Sequence, residues 1–359
     1  MRFYTFSLLL ALVSAQNDGG RVLHWVIRVS NLEATTTFAT QCLGMVVLRH
    51  EENAEPCPLT CNGVFDTPWS KTMVGYGPEN THYALELTYN YGIDSYEKGS
   101  GLQTFIINVG NKHSVDDALE CAHEMGYKFD ENIITGPDGY LYQLMPSPPI
   151  DQSEKFGQVT LAAADPKALG AWYADLLGMV STPVGEDGSY QLGFAKGRVD
   201  LILKPTVDGA SPNITQWEGR NAIGVPEATV RAVNERLLKE SPELIIHSMR
   251  ELHEKLGTLF ILILHDPAGY EVCLVSLEMF DPSVKEATNY VGPDWDHRKE
   301  LLAKVKGLQA MDDARKRMFE QMQAAMGGAG AAAEEEVDDE EEDDDDDLLD
   351  EDDEEKDEV

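Results

Sequence analysis
Along residues 82–91 (HYALELTYNY), Tyr83, Leu85 and Leu87 alternate with Ala84, Glu86 and Thr88, which is the two-residue period of a β-strand. A carboxylate inside an otherwise apolar strand is costly unless it is paired or bound to a metal. Taken alone, Glu86 reads as an edge-strand acid facing water. The same period marks strands at residues 22–29, 45–49 and 69–76. Between the first two, Asn31 opens a helix with Leu32, Phe38 and Leu43 turned inward, and Gly44 ends it. A loop with three prolines and two cysteines precedes residue 69. The order is βαβββ.

That order recurs. Residues 157–163 form a strand and 165–177 a helix, and Leu177-Gly178-Met179-Val180 repeats Leu43-Gly44-Met45-Val46. Strands follow near 191–194 and 199–203. Two half-matching units start at residues 104–109 and 222–225, pass through helices at 115–125 and 229–239, and close on Pro137-Asp138-Gly139-Tyr140 and Pro267-Ala268-Gly269-Tyr270, each followed by an alternating strand. The predicted fold is α+β, with four βαβββ units in tandem forming two paired half-barrels. In chain order these give a first domain at 21–150 and a second at 155–280. Residues 295–326 predict a charged amphipathic helix, with Leu301, Leu302, Val305, Leu308, Met311, Met318 and Phe319 as an apolar stripe packing on the body. A small-residue linker and a disordered acidic tail complete the chain at 327–359.

Charge refines this picture. The net charge is -36, of which residues 334–359 carry -20 through 21 acids and one lysine, leaving -16 for the rest. Neither part suits a phosphate backbone, so nucleic acid is excluded as a partner. Clustered carboxylates in the tail suit low-affinity calcium buffering, or a solubilising spacer. Residues 1–15 read as a signal peptide: Arg2, an apolar run at 6–13, and Val13-Ser14-Ala15 before Gln16. No run is long enough to span a bilayer once the signal is removed. The last four residues, Lys356-Asp357-Glu358-Val359, differ by one from a KDEL retention signal. The expected location is the lumen of the endoplasmic reticulum, with secretion as the alternative. Asn213-Ile214-Thr215 is a glycosylation sequon. Of five cysteines, Cys57 and Cys61 could close a small disulfide, whereas Cys42, Cys121 and Cys273 read as buried and inert.

With these units in place, the chain resembles the vicinal-oxygen-chelate superfamily, which includes glyoxalase I and bleomycin-resistance proteins. The runs Trp69-Ser70-Lys71-Thr72-Met73-Val74-Gly75-Tyr76, Glu86-Leu87-Thr88-Tyr89-Asn90-Tyr91 and Leu48-Arg49-His50-Glu51-Glu52 carry the likeness. The resemblance implies a half-open barrel with four strand ligands around one divalent metal, Zn or Ni, and isomerisation of a glutathione hemithioacetal. It places metal ligands at His24 and Glu86. The other two ligand positions fall on Thr104 and Gln143, neither a good donor, and an uncharged amide cannot act as general base. In the second pair the positions fall on Gln158, Ile202, Arg220 and Cys273. If the first unit pairs with the fourth instead, His24 and Glu86 face Arg220 and Cys273. His50, Glu51, Glu52 or His82 could complete the metal shell from nearby loops and strands. The resemblance also places Arg28 and Asn90 on the γ-glutamyl carboxylate and amine of a glutathione-like thiol, which suits a bidentate guanidinium and a two-way amide.

Two functions are therefore expected. One is a metal-dependent lyase or isomerase acting on a small thiol adduct or dicarbonyl. The other is a catalytically degenerate barrel that binds a small ligand or scaffolds a partner.

Overall fold
In the computed structural model the described residues are 19–149, 153–194, 199–254 and 257–331. The expected signal peptide and the acidic tail lie outside them. The first unit comprises β1 (Arg21–Arg28), α1 (Leu32–Gln41), β2 (Val46–Asn53), β3 (Trp69–Gly75) and β4 (Ala84–Asn90). The second comprises β5 (Leu102–Asn108), α2 (Lys112–Glu124), β6 (Lys128–Asp130), β7 (Ile133–Thr135) and β8 (Leu141–Met145). The third has β9 (Phe156–Ala163), α3 (Pro166–Leu177), β10 (Val180–Val184), β11 (Ser189–Gly193) and β12 (Asp200–Pro205). The fourth has β13 (Arg220–Val225), α4 (Glu227–Glu240), β14 (Ile245–Glu254), β15 (Gly257–His265) and β16 (Glu271–Ser276). The helices start where the caps predict: Asn31 accepts from the Ala34 amide at 3.0 Å, and Asp165 from the Ala168 amide at 2.9 Å.

The units do not pair in chain order. One eight-stranded sheet runs β14-β15-β16-β13-β1-β4-β3-β2 and the other β10-β11-β12-β9-β5-β8-β7-β6. The first unit thus joins the fourth, and the second joins the third, so neither sheet is confined to residues 21–150 or 155–280. All four units offer a first strand of the same kind to a partner, and alternation alone cannot choose among them. The seam between β1 and β13 shows what does. Gly219, just before β13, has φ +68, and a Cβ there would clash with the Val26 carbonyl oxygen. Beside it, the Trp25 indole donates to the Glu218 carbonyl at 2.6 Å.

The paired Pro-x-Gly-Tyr turns tie the two sheets together. The Tyr140 hydroxyl donates to the Trp217 carbonyl at 2.7 Å and accepts from the Arg28 amide at 3.0 Å. Tyr270 does the equivalent on the other side, donating to Ala162 O at 2.8 Å. A disulfide between Cys42 and Cys121 joins the end of α1 to α2, with their Cα atoms 5.3 Å apart. These two cysteines are therefore structural crosslinks rather than inert thiols. Their separation of 79 residues hid a contact that only the tertiary fold creates. Cys57–Cys61 is the second disulfide, and Cys273 is a buried thiol.

Two helices follow the fourth unit. The first, α5 (Leu277–Ala287), was not expected from the sequence. Its apolar positions Leu277, Phe280, Val284 and Ala287 keep helical spacing, but Pro282 masks the pattern. The second, α6 (Trp295–Ala331), continues past Gly327, where a linker was expected, because alanines there sustain a helix. The compact body ends at Val305. Leu301, Leu302 and Val305 pack on its core, as expected of the stripe. Leu308, Met311, Met318 and Phe319 are exposed. The first turn of α6 is anchored by Arg298, whose guanidinium lies over Tyr89 and Tyr91 and bonds Ser70 at 2.9 Å and Glu52 at 2.5 Å. Among the described residues, no helix is long and apolar enough to cross a membrane.

Candidate functional site
Strand register gathers one face of four strands into a single patch. Val26 of β1 lies beside Glu86 of β4 on one side and Arg220 of β13 on the other, and Arg220 beside Glu271 of β16. Two residues along, His24 lies beside Ala84 and Ala222, and Ala222 beside Cys273. Residues two apart share a face, so His24, Glu86, Arg220 and Cys273 line one cavity of about 70 Å³, with Arg49, Lys71 and Phe280 in its walls. Phe280 comes from the unexpected α5. The cavity is well short of the roughly 300 Å³ of a typical ligand pocket.

Glu86 is not an edge-strand acid in water. Its strand is buried along its whole length between β1 and β3, and Glu86 itself is 4% exposed. Burial alone would raise its carboxyl pKa. Lys71, His24, Arg49 and Arg28 outweigh that and hold it below the ordinary value, so the carboxylate stays ionised. His24 Nε2 stands 3.6 Å from Glu86 Oε2, and its Nδ1 has no hydrogen-bond partner. Burial keeps the imidazole pKa below its ordinary value, against the pull of Glu86 and Glu79. A neutral imidazole beside an ionised carboxylate is the protonation state that a metal would require of both.

The remaining donors fall short. Thr104 and Gln143 lie on β5 and β8 of the other sheet, so they do not complete this site. Arg220 stands in their place, ion-paired to Glu271. Of the nearby residues expected to help, His50 bonds Thr72 at 2.8 Å and Glu52 at 3.0 Å, while Glu52 also binds Arg298. Glu51 pairs with Arg49, and His82 bonds Ser153 at 2.7 Å. None of these four lines the cavity. Among the described residues, no three His, Cys, Asp or Glu side chains are grouped to hold a metal ion. Catalytic zinc takes three protein ligands and an open position. The arrangement of two donors facing a guanidinium does not fit that requirement.

Arg28 and Asn90 are on the same face, further along β1 and β4, and both are buried, at 1% and 0% exposed. Burial and the neighbouring Arg220 lower the Arg28 pKa. Their polar groups meet protein: Arg28 Nη1 donates to Cys61 O at 2.9 Å, and Asn90 Nδ2 to Asn62 O at 3.0 Å. Arg49 and Lys71, which set the charge of the site, were not singled out in the sequence. For Lys71 the available signal was a lone charged residue in the strand Trp69–Gly75.

Two βαβββ units closed edge to edge around a cavity floored by His and Glu define a vicinal-oxygen-chelate barrel. The sequence profile of the Glyoxalase/Bleomycin resistance protein/Dioxygenase superfamily matches residues 21–149. Glyoxalase domain-containing protein 4 of Mus musculus is 36% identical over 264 residues, covering 72% of this chain and 86% of that protein. Glyoxalase 1 of Caenorhabditis elegans is 30% identical over 266 residues, covering 72% and 89%. The crystal structure of a glyoxalase I mutant from Zea mays superposes with a TM-score of 0.62 at 25% identity, covering 77% of this chain and 99% of that one. The chain belongs to the glyoxalase/bleomycin-resistance superfamily, and its likeness to glyoxalase domain-containing protein 4 spans most of its length.

The electrostatics predict a measurable titration. His24 should lose its proton below its ordinary pKa of 6.5. In Glu86→Gln the midpoint should fall further, because the carboxylate is the main group raising it. A rise in the NMR titration midpoint of the His24 ring in the variant would contradict this assignment.

Proposed function
We propose that the cavity between the first and fourth units is a small-molecule site of the glyoxalase type, taking a small thiol adduct or dicarbonyl, and that it is degenerate for metal-dependent isomerisation. The observation that carries this is Arg220 standing opposite His24 and Glu86. A fixed cation there repels a second cation and attracts an oxyanion instead. A depressed pKa also makes Glu86 a weak general base. The lyase reading is second, and is favoured by the retained His24–Glu86 pair. If the site binds such ligands, isothermal titration with S-lactoylglutathione should show affinity that Ala222→Phe, which fills the cavity, weakens by at least about tenfold. Equal binding in the variant would place the ligand elsewhere.

We further propose that the chain works in an oxidising compartment, in the lumen of the endoplasmic reticulum or after secretion. Two disulfides support this, since such bonds persist outside reducing compartments. Asn213 of the sequon is exposed, as a glycan acceptor must be. Expressed in eukaryotic cells, the chain should carry one glycan at Asn213, removable by endoglycosidase H if it is retained in the lumen. A mobility that the glycosidase and Asn213→Gln both leave unchanged would oppose passage through the secretory pathway.

A further inference from the structure
The loop at residues 57–63 crosses the mouth of the site and consumes its polar groups. Arg28 Nη1 donates to Cys61 O at 2.9 Å. Arg220 Nη2 donates to Leu59 O at 3.0 Å, Thr60 O at 2.9 Å and Thr60 Oγ1 at 2.8 Å. Asn90 exchanges two bonds with Asn62, at 3.0 and 2.9 Å. Three side chains from three different strands thus converge on one short run of backbone. Arg220 also pairs with Glu271, but a single carbonyl oxygen is an incomplete partner for the Arg28 fork, and Nε of both Arg28 and Arg220 remains without a hydrogen bond although buried. A carboxylate, with two oxygens, would use such forks fully.

The loop is held there by three features. Cys57–Cys61 closes it into a ring, and Asn62 Oδ1 takes the Cys57 amide at 3.0 Å across that ring. The Leu59 side chain is buried with Leu23, Ala222 and Phe280. Thr60, which is β-branched, sits at φ +55, a strained conformation that persists only when its surroundings impose it. That strain is released if the loop lets go.

We infer that residues 57–63 are a redox-held plug, whose carbonyl groups occupy in cis the donors Arg28, Arg220 and Asn90 that a carboxylate-bearing thiol ligand would engage. This rests on the proposed glyoxalase-type ligand site and adds its control. Opening requires a dithiol reductant. One thiolate attacks a sulfur of Cys57–Cys61 and displaces the other as a thiolate, and the second thiolate of the reductant resolves the mixed disulfide. The protein pair gains two electrons and two protons, and the reductant leaves as its own disulfide. Freed from the ring, the loop swings out and the two guanidiniums turn to the ligand.

The test compares the oxidised full-length chain with the Cys57→Ser/Cys61→Ser variant, which leaves Cys42–Cys121 in place. Hydrogen exchange at residues 57–63 reports the plug, and isothermal titration with glutathione reports the donors. Both exchange rate and glutathione affinity should rise by at least about tenfold in the variant. Unchanged exchange overturns the lock, whatever the affinity, and leaves the cavity reading to its own test. Faster exchange with equal affinity overturns the plug as a gate. If that equal affinity is no binding in either form, the thiol-peptide reading of the site fails as well. Should the double variant not fold, dithiol reduction of the native chain, with alkylation at Cys57 and Cys61 verified by mass, gives the same comparison.

Discussion
The antiparallel pairing of β1 with β13 is the constraint from which the site follows. It sets His24 beside Ala222 and Val26 beside Arg220, so the inward face of the first unit meets the inward face of the fourth. It depends on a close backbone approach that Gly219 alone permits at that point. Had β1 met β5 instead, His24 and Glu86 would have faced Thr104 and Gln143, and the charge of the cavity would have been different. Because each half-barrel combines distant units, the two sheets must be held together by more than chain connectivity. Tyr140, Tyr270 and the Cys42–Cys121 bond supply that.

A guanidinium at the third position changes the chemistry that the cavity can do. His24 and Glu86 keep the protonation states of metal ligands, yet Arg220 competes for the same space with a permanent positive charge. Around them, Arg49 is paired with Glu79 and Glu51, and Arg220 with Glu271. Both of these buried cations are compensated by acids, which offsets part of the cost of burying them in one small site. The result is a pocket with fixed positive groups suited to an oxyanion, closed at one end by backbone carbonyls that imitate one.

Much of the fold was legible in the sequence because its signals are local. Asn31, Asp165 and Gly44 mark helix ends through bonds made within a few residues, and alternation finds the first strand of every unit, though it missed β6, β7, β10, β14 and β15. Glu86 stood out because strand period puts a carboxylate inside an apolar strand, and the resemblance to glyoxalase I supplied His24 as its partner. What lay beyond reach was set by contacts between distant segments. Whether Arg220 or Thr104 joins His24 and Glu86 in one site depends on which edges meet, and four similar edges leave that open. Arg28 and Asn90 read as free ligand groups because nothing local reveals that the Cys57–Cys61 loop folds back onto them. The helix at Leu277–Ala287 was obscured by its own proline.

The most direct measurement is the transition-metal content of the full-length chain, purified without chelator and without tag histidines, alongside Glu86→Gln. A content well below one ion per chain is expected in both, because two donors facing Arg220 do not make a site. Near one ion per chain in the native protein, lost in Glu86→Gln, would contradict it by showing that further donors close the shell around His24 and Glu86.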